Sequence, residues 1–239
     1  MNKLHIRSLA LGAVLSLAMG GTALAGVISF ANLSATQNSN IGPTTTVSQN
    51  GLTMTAYAVV PGTAPVQWAQ SGCADTSTSP CLYYKVTSGD MSETGLGLTP
   101  NVNNEIYNPN GIALTVMTPN EFLSSLEIGS VQTGESWQVM GCSSSEAGFS
   151  GCSSLDSGVG GMNGTSMVTV SGLNATHYNA YIVDVPCADS SACDGTTTDS
   201  SNNIVLMSAT TVPEPGTLAL MAAGLFGLGW MVRRRRARQ

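Results

Sequence analysis

Between residues 52 and 210 the chain repeatedly alternates apolar and polar positions, and it seldom shows the three-to-four-residue spacing of an amphipathic helix. Eight segments carry the alternation or are rich in β-branched and aromatic residues: "LTMTAYAVV" (52–60), "CLYYKVT" (81–87), "GIALTVMT" (111–118), "LSSLEIGSV" (123–131), "SWQVMG" (136–141), "SMVTVSG" (166–172), "HYNAYIVDV" (177–185) and "NNIVLMSAT" (202–210). A side chain turned inward at every second position is what a strand with one buried face requires. Between them lie "VPGTAP", "TSGD", "NPNG", "QTGE" and "SGLN", whose Gly, Pro and Asn residues suit turns. Eight short strands punctuated in this way predict an all-β fold, a two-sheet β-sandwich of jelly-roll-like form. The Gly-rich stretch from 141 to 164 breaks the alternation and reads as an irregular loop.

Two continuous apolar runs depart from the strand pattern, one at each end. Lys3 and Arg7 precede "LALGAVLSLAMG", and "TALAG" follows with small residues at Ala23 and Ala25. An apolar run of about a dozen residues falls short of the roughly 20 that a bilayer span needs, so residues 1–25 read as a secretory signal peptide cut after Ala25. At the other end, Thr217 to Val232 contains sixteen residues without a charge. As a helix they would reach about 24 Å, somewhat less than a ~30 Å hydrocarbon core, and would span with local thinning. Arg233, Arg234, Arg235, Arg236 and Arg238 follow, which places the C-terminus in the cytoplasm and the preceding chain outside. The expected organisation is a signal peptide at 1–25, a secreted domain at 26–211 and a C-terminal segment at 212–239. That last segment holds a transmembrane helix at 217–232 and a basic tail at 233–239.

Just ahead of the apolar stretch stand Val212, Pro213, Glu214, Pro215 and Gly216. Each proline fixes φ, removes a donor and pushes the residue before it toward an extended backbone. The stiff, extended form suits a cleft that reads backbone. A "VPEP" segment, one short apolar helix and a terminal arginine cluster, in that order and behind a signal peptide, resemble the PEP-CTERM sorting signal of Gram-negative bacteria that make extracellular polysaccharide. The resemblance implies recognition by an exosortase at Pro213, Glu214 and Pro215, a transient stay in the inner membrane, and delivery to the cell surface or extracellular matrix. A second block, "GLGLTPNVNNEIYNPNGIALTV" with "LSSLEIGSVQTGESWQV", resembles the central part of many such proteins. It comprises a Gly-Leu-Gly turn, an Asn-rich loop carrying Glu105 and Ile106, and two strands ending in a Gly-Glu turn. This second resemblance implies a β-sandwich and no particular activity.

Charge narrows the partners. All fourteen acidic residues lie between Asp75 and Glu214, where Lys85 is the one basic residue, so residues 26–215 carry a net −13. A cationic face for nucleic acid or for an anionic membrane surface is missing from such a body. Six cysteines fall into close pairs within polar loops. Fifteen connectivities are open to six cysteines, and in an oxidising compartment three local bridges are the simplest choice: Cys73–Cys81, Cys142–Cys152 and Cys187–Cys193. None has the CxxC spacing of a zinc knuckle.

Catalytic motifs do not emerge. His177 is the one histidine outside the signal peptide, no serine sits in a G-x-S-x-G elbow, and there is neither a phosphate-binding loop nor an EF-hand. His177 reads as a strand-edge packing residue. Asn103, Asn104 and Glu105 supply hard oxygen atoms that suit Ca²⁺, although Asn residues in loops more often serve turn geometry. Trp68, in "APVQWAQSG", is the aromatic best placed to stack on a sugar, whereas Trp137 and the tyrosines fit strand patterns as core residues. The expected protein is not an enzyme and needs no cofactor. It is a sorted surface or matrix protein with a structural or adhesive role in extracellular polysaccharide, floc or biofilm; the alternative is a carbohydrate-binding module, calcium-assisted.

Overall fold

A computed structural model describes residues 25–60, 67–68, 80–99, 103–108, 110–144, 149–160, 166–186 and 203–214, with short stretches of the tail at 223–225, 227–228, 230 and 233–234. The described residues contain fifteen strands. The first eight are β1 (Gly26–Ser29), β2 (Ser39–Gly42), β3 (Thr44–Gln49), β4 (Leu52–Val60), β5 (Gln67–Trp68), β6 (Cys81–Lys85), β7 (Gly95–Thr99) and β8 (Ile106–Tyr107). They are followed by β9 (Gly111–Val116), β10 (Glu121–Val131), β11 (Ser136–Ser144), β12 (Ser150–Val159), β13 (Ser166–Ser171), β14 (Ala180–Asp184) and β15 (Asn203–Pro213). All eight strands predicted from alternation are present, within a few residues of their expected limits.

The strands form two antiparallel sheets. One has the order β13-β10-β15-β7-β6-β2, with β1 and β8 also pairing to β15; the other has the order β12-β11-β14-β9-β4-β3, with β5 on β4. The two sheets share one core, in which Ile28, Leu82, Leu96, Ile128 and Leu206 from the first meet Met54, Ile112, Val139, Tyr181 and Val183 from the second. The hairpins β3–β4, β6–β7 and β11–β12 each stay within one sheet. The chain crosses between the sheets in its later part, where β13, β14 and β15 alternate.

Two expectations are corrected. The stretch read as an irregular loop contains the end of β11 and all of β12, and the two strands pair from Ser136↔Val159 to Ser144↔Ser150. β12 shows no apolar alternation because it is the edge strand of its sheet, and its side chains are exposed or half-buried along its whole length. The "GLG" read as a turn is instead β7, every residue of which is buried. A Cβ on Gly97 would stand 1.9 Å from the carbonyl oxygen of Asn104, so the glycine lets the following loop lie directly on the strand.

In the tail, the described positions are helical, and among the described residues no helix is long and apolar enough to cross a membrane. The predicted signal peptide and most of the predicted 217–232 helix lie outside the described residues.

Candidate functional site

The sorting triplet leaves the domain from the end of β15, a strand in the middle of its sheet. β10 pairs with β15 to the last residue, Phe122 opposite Val212 and Glu121 opposite Pro213. The pairing continues one step past the strand, because the Glu214 N–H donates to the Asn120 carbonyl at 2.9 Å. Asn120 takes a left-handed φ of 60°, which turns the chain into β10 at this point. On the other side of β15, β1 is in register with Gly26 opposite Thr211. The residue after the predicted signal cleavage therefore lies beside the start of the sorting segment. Pro213 occupies a strand end, the position in a sheet where a missing N–H is tolerated. It is buried, and Glu214 is half-buried. Pro215 lies outside the described residues.

Aromatic and acidic groups border this exit. His177 is exposed and precedes β14; its ring stacks on Phe122 with centroids 4.1 Å apart and planes at 15°. Glu121 is buried, and its Oε2 has no hydrogen-bond partner.

At the opposite end of β15, about 33 Å away at ~3.3 Å per residue, a second cluster surrounds the lysine of the acidic body. Lys85 Nζ contacts the buried Glu105 Oε1 and lies 3.5 Å from Glu93 Oε2. The Ser130 hydroxyl donates to the same Glu105 oxygen at 2.8 Å. Ser130 reaches it because a bulge in β10 gives it a left-handed φ of 58°. Glu135 closes the cluster, accepting from the Gln132 N–H at 2.6 Å and the Asn203 N–H at 3.2 Å. Burial raises the Glu135 carboxyl above its ordinary range against the pull of those two N–H groups, and the charges of Glu105 and Glu93 raise it further.

This arrangement bears directly on the residues named for Ca²⁺. Glu105 directs Oε1 to Lys85 and Ser130, and Asn104 spends a left-handed φ of 56° on turning the loop over Gly97. Among the described residues no three His, Cys, Asp or Glu side chains are grouped as metal ligands. Trp68 lies in β5 opposite Val59, and its side chain is outside the described residues. Trp137 packs in the core, as do Tyr84 and Tyr107.

Of the cysteines, Cys142 and Cys152 face each other across β11 and β12 and are disulfide-bonded. Cys81 is also disulfide-bonded; Cys73, Cys187 and Cys193 lie outside the described residues.

Sequence reasoning missed the buried carboxylates. Asp184 ends β14, opposite Gly111 on one side and Gln138 on the other, on the outer face of its sheet with Ala180 and Ile182. Its Oδ1 has no partner, and desolvation pushes the carboxyl up to about 7. The signal was present in "AYIVDV", one acidic residue inside a run of apolar ones.

Residues 211–236 match the family model of the PEP-CTERM protein-sorting motif, so the match begins inside β15. No curated protein matches the chain. The matched segment points to an exported protein sorted through an exosortase.

Proposed function

We propose that this exosortase-sorted chain is a non-catalytic surface or matrix protein whose β-sandwich serves a structural or adhesive role in extracellular polysaccharide. The observation that carries the reading is the direct continuity of the matched sorting motif with the central strand of a strongly acidic sandwich. A body with one lysine against fourteen carboxylates stays soluble and repels nucleic acid and anionic membranes. A neutral, hydrated polysaccharide carries no such penalty. His177, the one histidine of the body, packs on Phe122, which supports a non-catalytic reading.

A second reading, a carbohydrate-binding module, draws on a shallow groove of about 270 Å³ lined by Asn32, Thr45, Thr46, Ser48 and Gln49. Hydroxyl and amide groups without charge suit a neutral glycan, although several of these groups already bond within the protein.

Mass spectrometry of the native protein from fractionated cells and medium tests the main reading. A mature chain that begins at Gly26, ends near Pro213 to Gly216 and is found outside the inner membrane is expected. A chain that retains Arg233 to Gln239 in the inner membrane would overturn it. Retardation on immobilised polysaccharide, lost on Gln49→Ala, would favour the binding module. Hydrolysis of a glycan or peptide that depends on His177 would exclude both.

A further inference from the structure

The same residues serve two purposes at the end of β15. Pro213 is the last paired residue of the central strand, and Glu214 adds one more backbone bond, to Asn120 just ahead of β10. Both also belong to the triplet that the sorting enzyme is expected to read. No linker residue separates the sheet from the triplet. We propose that folding and processing compete for this segment, so that the motif is read only when the end of β15 peels from β10. The proposal rests on the sorting reading above and concerns how that site is regulated.

The physical argument is one of exclusion. A peptidase active site takes its substrate as an extended segment a few residues long, and a backbone whose groups are committed to a neighbouring strand is not available to it. Here β10 holds the segment to Pro213, and β1 anchors the strand on the other side up to Thr211, the residue before it. The bulge at Ser124 adds a clasp, its hydroxyl donating to the Thr210 carbonyl at 3.1 Å. A two-layer sandwich joined to the triplet without a spacer is also too bulky to enter a cleft at the membrane surface. Strand ends open locally at far less cost than whole domains, so brief peeling of Val212 to Glu214 supplies the readable form while the core stays intact. When opening and closing are fast, cleavage follows the open population. The arrangement holds back processing of the folded chain and favours processing of a chain whose sandwich is incomplete or whose strand end is loosened.

The test locks and loosens that end in the full-length chain. Phe122 and Val212 are opposite partners, so Phe122→Cys combined with Val212→Cys joins β10 to β15 when oxidised. Phe122→Ala removes the ring that stacks on His177 and loosens the same place without touching the shared core. Wild type, the single variant Val212→Cys, the lock and Phe122→Ala are incubated with membranes that carry the exosortase, with and without reductant, and loss of the arginine tail is followed by mass spectrometry. The expected result is that the oxidised lock is processed at least about tenfold more slowly than wild type. Reductant raises its rate to at least that of wild type, because the reduced lock also lacks the Phe122 ring, and Phe122→Ala is processed severalfold faster than wild type. Processing of the oxidised lock at the wild-type rate would overturn the proposal and leave the sorting reading standing. If wild type keeps its tail with these membranes, or loses it equally with membranes lacking the enzyme, the sorting reading fails and the proposal with it.

Discussion

Asp184 shows how a buried carboxyl contributes to the pH response of the domain. Its carboxyl titrates near 7 in the folded protein because burial penalises the charge, against about 4 in an unfolded chain. Between those values the folded state holds a proton that the unfolded state has released, so stability is greatest at the acid end of the window and declines as pH rises toward 7. At about 1.4 kcal/mol per pH unit the gap corresponds to roughly 4 kcal/mol. Glu135, also raised by burial, acts in the same direction. Asp184→Asn is therefore expected to raise the melting temperature at pH 8 and to flatten its decline between pH 5 and 8, measured by calorimetry across that range; an unchanged slope would refute the assignment. Lys85 makes the converse case. Lys85→Ala leaves Glu105 buried and uncompensated and is expected to cost about 3–5 kcal/mol in urea unfolding. Lys85→Met combined with Glu105→Gln recovers part of that loss, because the pair then carries no buried charge.

Among the elements, β7 and β12 show where a local pattern misleads. β7 is "GLGLT", whose glycines read as a turn, yet Leu96 and Leu98 pack in the core while Gly95 and Gly97 admit β15 and the neighbouring loop at close range. Gly97→Ala is expected to destabilise by about 2 kcal/mol or more, because the added Cβ meets a backbone carbonyl that has no room to retreat. Chemical denaturation of the single variant measures this directly. β12 is the opposite case, a ten-residue strand with no buried face whose place is set by pairing to β11 and by the Cys142–Cys152 bridge. Replacing both cysteines with serine is expected to cost about 1–3 kcal/mol, since the closed loop is short and its ends are already paired. Hydrogen exchange should place the lost protection in β11 and β12, with β10 and β15 unaffected.

For the molecule as a whole, the central position of β15 ties completion of the fold to the last residues of the body. The strand pairs with β10, β7, β8 and β1, so a chain ended after Ile204 is expected to remain unfolded by circular dichroism. One ended after Glu214 should fold and melt as a single unit. Eight of the fifteen described strands and the C-terminal sorting motif were legible from the chain alone. Strand alternation, proline stiffness and charge clustering are properties of neighbouring residues, and they do not depend on what packs against them. The tertiary structure alone decided which strands meet. It brought Lys85 and Glu105 to Ser130 and Glu135 and buried Asp184 on the outer face of its sheet. It also drew the first two residues of the sorting triplet into sheet pairing, because contact partners separated by tens of residues are selected by burial and by the demand that every backbone group be paired.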